Sequence, residues 1–272
     1  MSHKFAFCSE VYDTPIEETI DRVQKIGFDG LEIAPFNIGK SVEDVGPERR
    51  QEIRKRAQGA GIEIIGLHWI LVSPPGFHLT TADVGRRDRT AEYIRSLAAF
   101  CSDLGGSFMV LGSPNQRNLE PGTTLEAAFE RAAAELGKAA PCCGDLGVSL
   151  LLEPLHANET NFLQTVEDAL ELVRRIDHPA VGYMLDCKAM SGMPAGIEGT
   201  LRQYGKDAGH FHTNEPGGKG PGMGDVDFRP IMKALDESGY TGWVSSEPFD
   251  YSPDPDTVAR AALETLKAAV DN

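Results

Sequence analysis

The chain has 272 residues, 41% hydrophobic and 25% charged, the make-up of one large soluble domain, here taken as residues 1–272. Its net charge of −15, with no basic cluster beyond short runs such as Arg54-Lys55-Arg56, argues against a grip on nucleic-acid phosphates. No apolar stretch approaches the roughly 18 residues of a membrane span.

Eight short apolar runs read as strands in chain order: Lys4–Cys8, Gly30–Ala34, Glu63–His68, Phe108–Leu111, Ser149–Leu155, Val181–Asp186, His210–Thr213 and Trp243–Glu247. Runs of this length with little polar alternation suit parallel strands buried on both faces. Longer amphipathic stretches separate them. In "TPIEETIDRVQKIG", Thr14 is the expected N-cap, Pro15 the first helical residue, and Gly27 the stop. Helical spacing also marks "VGRRDRTAEYIRSLAAFCSDLG", "TLEAAFERAAAELGKAAPCCGDLG", "TVEDALELVRRI" and the closing "PDTVARAALETLKAAV". "IGFDGLEIAPF" near the start is echoed by "SGYTGWVSSEPF" near the end. Eight strands alternating with helices over this length predict a single-domain α/β fold, the (β/α)8 TIM barrel. An open dinucleotide-binding sheet would carry G-x-G-x-x-G after its first strand, where this chain reads "CSEVYDTP".

The five cysteines, Cys8, Cys101, Cys142, Cys143 and Cys187, are odd in number and form no C-x-x-C pair. They read as free thiols in a reducing compartment. The start "MSHKFAFCSE" lacks the apolar core of a secretion signal. A cytoplasmic location is the resulting expectation.

In a barrel of this kind reactive groups collect at the C-terminal strand ends. The last four strands end in Glu153, Asp186, His212 and Glu247, at spacings of 33, 26 and 35 residues, near one strand-helix unit per step. Three converging carboxylates repel one another unless a cation neutralises them. The four are therefore a predicted metal site. Three oxygen donors and one imidazole suit one divalent ion, Mn2+ first, with Mg2+, Co2+ and Zn2+ as alternatives.

"LLLEPL", "MLDC", "GHFHTNEPGGKGPGMGDVDF" and "SSEPF" together resemble the sugar phosphate isomerase/epimerase family, with its xylose-isomerase-like barrel. Ketose 3-epimerases and hydroxypyruvate and inosose isomerases belong to that group. The resemblance spans essentially the whole chain. It implies that Glu153, Asp186, His212 and Glu247 hold the metal, and that Glu153 and Glu247 are the catalytic pair that moves protons. It implies a metal-dependent isomerase or epimerase of a sugar or polyol ketone, working through an enediolate. A lyase or dehydratase acting on an inosose or 3-keto sugar through the same first step is the alternative. Homodimers or homotetramers are implied by resemblance alone.

Departures from the family pattern fall at the substrate contacts. A histidine expected three residues after Asp186 is Ala189, beside Lys188, and an arginine expected six after His212 is Gly218, beside Lys219. In the segment after Glu153 the arginine is Ala157, while Glu159 is kept. Candidate substrate contacts are therefore His68, Trp69, His156, Glu159, Lys188 and Lys219. "SPPGFHLTT", containing His78, reads as a lid loop. The glycines after His212 are expected to let that loop wrap tightly beside the metal, and Glu32, early in its strand, reads as structural.

Overall fold

The computed structural model describes residues 3–270. Its strands are β1 (Phe5–Cys8), β2 (Gly30–Ile33), β3 (Glu63–Leu67), β4 (Phe108–Leu111), β5 (Ser149–Leu152), β6 (Val181–Tyr183), β7 (Leu185–Asp186), β8 (Phe211–Thr213) and β9 (Val244–Ser246). Their order is β6-β5-β4-β3-β2-β1-β9-β8-β7, and every pairing is parallel. The first strand is stitched to the last, Ala6 lying opposite both Gly30 and Ser245.

The predicted sixth strand is present as two pieces that change partner at Met184. β6 pairs with β5 and β7 with β8. The Met184 N–H donates to the Leu152 carbonyl at 3.0 Å, and the Leu185 N–H to that of His210 at 3.1 Å. One polypeptide run thus bonds to both neighbours and closes an eight-position ring.

Around the ring lie α1 (Ile16–Ile26), α2 (Pro47–Ala60), α3 (Val84–Leu104), α4 (Leu125–Asp145), α5 (Val166–Ile176), the short α6 (Cys187–Ser191), α7 (Gly196–Tyr204), α8 (Phe228–Ser238) and α9 (Pro255–Val270). None of the described helices is long and apolar enough to cross a membrane. The two echoed segments do the same work: Gly27 (φ +103°) ends α1 and Gly239 (φ +85°) ends α8 in the left-handed region, where glycine is favoured. One predicted cap shifts by a residue. Pro15, with extended ψ, occupies the N-cap of α1, and the Thr14 hydroxyl bonds that of Thr19 instead.

Alternation along the strands places the site. Side chains two apart share a face. Ala6, Leu151 and Met184 belong to a small apolar cluster with Ile65, Phe108 and Val110. Cys8, Glu153 and Asp186 stand two residues further on the same strands, so polar groups continue the face that the apolar cluster begins. The outward set, including Phe7, Leu150, Leu152 and Leu185, joins the main core under the helices.

Candidate active site

Glu153 directly follows β5, Asp186 ends β7, His212 is central in β8, and Glu247 directly follows β9. All four are buried, and one donor atom of each lies within 4.8 Å of the others. His212 Nδ1 lies 3.0 Å from Glu247 Oε2 and 3.7 Å from Glu153 Oε1. Asp186 Oδ1 accepts the Ala189 N–H at 2.8 Å, and Oδ2 accepts Asn214 Nδ2–H at 2.7 Å.

The electrostatics show how crowded the cluster is. Burial, then the charges of Glu153 and Glu247, push the Asp186 carboxyl up to about 7. Burial also raises Glu153. Burial acts the same way on Glu247, but the His212 imidazole outweighs it and holds that carboxyl below its ordinary value. Three crowded carboxylates and an imidazole nitrogen facing them fit a small divalent cation, whose charge would relieve this repulsion.

Room for Glu153 comes from a glycine. A Cβ on Gly112, just after β4, would fall 1.7 Å from Glu153 Oε2. Behind it the fully buried Arg117 donates from Nη1 to the carbonyls of Glu153 (2.7 Å) and Leu111 (3.2 Å). Burial pushes the Arg117 guanidinium down to about 10, against the opposing pull of Glu153 and Glu159.

Glu153, Asp186 and Glu247 also line a cavity of about 570 Å³, open mouth included. Its apolar wall is Trp69, Pro114, Leu155 and Phe249, and its other polar members are His68, Glu159 and Lys188. Trp69 Nε1–H donates to Glu247 Oε1 at 2.9 Å, from a backbone at φ +54°. Left-handed backbone at a bulky residue persists only where its surroundings enforce it. Lys188 Nζ donates to Glu159 Oε1 at 2.6 Å and lies 4.5 Å from the centre of the Phe249 ring.

Residues 20–269 match the model of the xylose isomerase-like TIM barrel family. The chain belongs to that family. It is 27% identical over 263 residues to the D-psicose 3-epimerase of Ruminiclostridium cellulolyticum, covering 90% of this chain and 82% of that protein. It is 23% identical over 260 residues to the fructoselysine 3-epimerase of Escherichia coli O157:H7, covering 93% of each. Among solved structures, D-psicose 3-epimerase with D-tagatose from Clostridium cellulolyticum H10 superposes with a TM-score of 0.84. That alignment covers 98% of this chain and 99% of the other at 24% identity.

Within this xylose isomerase-like barrel, four of the six predicted substrate contacts, His68, Trp69, Glu159 and Lys188, line the cavity. Two do not. The His156 ring turns against Gly192, where a Cβ would lie 2.4 Å from His156 Cδ2, and its Nδ1 accepts the Asn158 N–H. Lys219 bridges to Asp250 along the backbone and opens onto a separate surface hollow with Met223 and Pro253. The glycine-rich loop also departs from expectation. Gly218 packs on Phe249, Gly220 on Pro248 and Val258, and Gly222 on Thr265. Its glycines let it press on the segment after β9 and on α9, rather than on the four donors. "SPPGFHLTT" is no free lid: His78 is buried, and its Nδ1 accepts the N–H groups of Thr80 and Thr81.

Sequence reading took Glu32 as structural and missed the charged group it forms on the far side of His212. Glu32, fully buried, lies 3.2 Å from His212 Nε2 through each oxygen and 2.8 Å from His210 Nε2. Burial alone would raise the Glu32 carboxyl, but His210 and His212 together hold it well below its usual range. Glu10 pairs with His68 Nε2 at 2.6 Å. A charge inside the apolar run "GLEIA" and the same-face pair His210 and His212 in "HFH" are the signals that could have revealed the Glu32 group.

Proposed function

We propose that the protein is a divalent-metal-dependent epimerase of a sugar ketone, with Mn2+ as its first-choice ion. The observation that carries this reading is the convergence of four buried donors from consecutive positions of the ring beside a cavity with an apolar wall and a few polar groups. The names of the two relatives described above, a D-psicose 3-epimerase and a fructoselysine 3-epimerase, support it.

Glu153, Asp186, His212 and Glu247 would hold the ion. Bound there, it supplies positive charge that stabilises negative charge developing on the substrate's oxygens. The proton steps belong to Glu153 and Glu247. They extend from β5 and β9, on either side of β8, and both border the cavity. One removes the proton from the carbon beside the ketone, leaving an enediolate. The other delivers a proton to the opposite face of that carbon, and the configuration inverts. Trp69 holds Glu247 through its indole N–H and offers an apolar ring to the sugar. Lys188 and Glu159, locked together, stand where hydroxyl groups can hydrogen-bond to them.

The test is hydrogen exchange in D2O, followed by NMR, with metal-stripped and Mn2+-loaded protein and a panel of ketoses, inososes and 3-keto glycosides. The expected result is metal-dependent deuterium incorporation next to the ketone, with an epimer as product. Loss of water or of a substituent from the product would replace the epimerase with a lyase. No exchange on any member of the panel would sink the assignment.

A further inference from the structure

We propose that Glu32 is a positioning residue that fixes which nitrogen of His212 faces the metal, and so sets how tightly the ion is held. The inference rests on the metal site proposed above and goes beyond it, because Glu32 lies outside the four donors and does not line the cavity.

The geometry is two-sided. His212 Nδ1 faces Glu247 at 3.0 Å and Glu153 at 3.7 Å. On the opposite edge of the ring, Nε2 lies 3.2 Å from both oxygens of Glu32. A carboxylate thus faces each nitrogen; with a cation seated among Glu153, Asp186 and Glu247 the Nδ1 edge is the one turned toward it, and Nε2 then carries the proton and donates it to Glu32. That leaves the Nδ1 lone pair pointing into the carboxylate cluster, the form a metal requires. An outer carboxylate that accepts a hydrogen bond from a ligating imidazole also raises its basicity, and loss of such a partner typically weakens metal binding.

Glu32 is itself held in place. His210 Nε2 contacts its Oε2 at 2.8 Å, while the His210 ring packs on Phe108 with centroids 4.2 Å apart. The Cys8 thiol approaches the same oxygen at 3.7 Å. Glu32 comes from β2, across the ring from β8, so its placement depends on barrel closure rather than on a local turn.

The experiment uses the full-length protein stripped of metal and titrated with Mn2+ or Co2+ against a chromophoric chelator. Glu32→Gln keeps the shape and removes the charge. It is expected to bind the ion about 10- to 100-fold more weakly than the unaltered protein. Unchanged affinity in a folded Glu32→Gln protein would overturn the inference while leaving the metal site standing. Failure of the unaltered protein to bind either ion would overturn the site and the inference together. Should Glu32→Gln not fold, the unaltered protein decides. Loaded with 113Cd2+ and labelled with 15N-histidine, it should show metal coupling to His212 Nδ1 and a proton on Nε2. Coupling through Nε2 would overturn the inference.

Discussion

The two halves of the barrel contribute in different ways. β5 to β9 carry Glu153, Asp186, His212 and Glu247, whereas β1 and β2 bring Cys8 and Glu32 to the other side of His212. The first half gives what keeps the donors in position: Glu32 behind His212, Trp69 on Glu247, and the bare backbone of Gly112 under Glu153. A donor set is thus only half of a site. Its geometry also depends on residues arriving from the opposite side of the ring.

If the division holds, the greatest loss follows damage to the second half. Glu153→Gln and Glu247→Gln should each lower kcat by at least about 10²–10⁴-fold, the scale of a lost general acid or base, in the same NMR exchange assay. Gly112→Ala tests whether the first half controls the second. Its methyl group would meet the Glu153 carboxylate, so kcat/KM should fall about 10²-fold, as for a misplacement near 1 Å, while circular dichroism still shows a folded barrel. Equal activity would break the comparison. Trp69→Phe keeps the ring and removes one donor to Glu247. A loss of about tenfold in kcat is expected, in line with one hydrogen bond to a charged group. The smallest effects separate two lysines. Lys188→Met should raise KM, because Lys188 borders the cavity. Lys219→Met should leave kcat/KM within about twofold, as for a surface substitution away from the site.

The convergence of Glu153, Asp186, His212 and Glu247 was legible because each repeats one position in a repeating unit. A polar residue at the end of an apolar run, recurring at the spacing of one strand and helix, is visible without knowing the fold. The helix stops at Gly27 and Gly239 were legible for a similar reason, since backbone conformation there is a local matter. The supports were not. Glu32 and His212 are 180 residues apart in sequence, and Trp69 and Glu247 are 178 apart. Only ring closure makes them neighbours. Glu10 lies in a short turn after β1, where nothing periodic distinguishes it from a solvent-facing acid. His156 and Lys219 erred the other way. Their spacing from Glu153 and His212 suggested the cavity, but the intervening turns direct them elsewhere.

The packing of the glycine-rich loop on the last helix also bears on how the protein can be handled. Gly220 rests on Val258 and Gly222 on Thr265, and the loop that carries both follows the strand that bears His212. A chain cut before Val258 would retain every donor yet lose the part of the final helix on which Gly220 and Gly222 are seated. The C-terminal tail is therefore a poor place to shorten the protein, and a fusion there should leave the whole of the final helix intact.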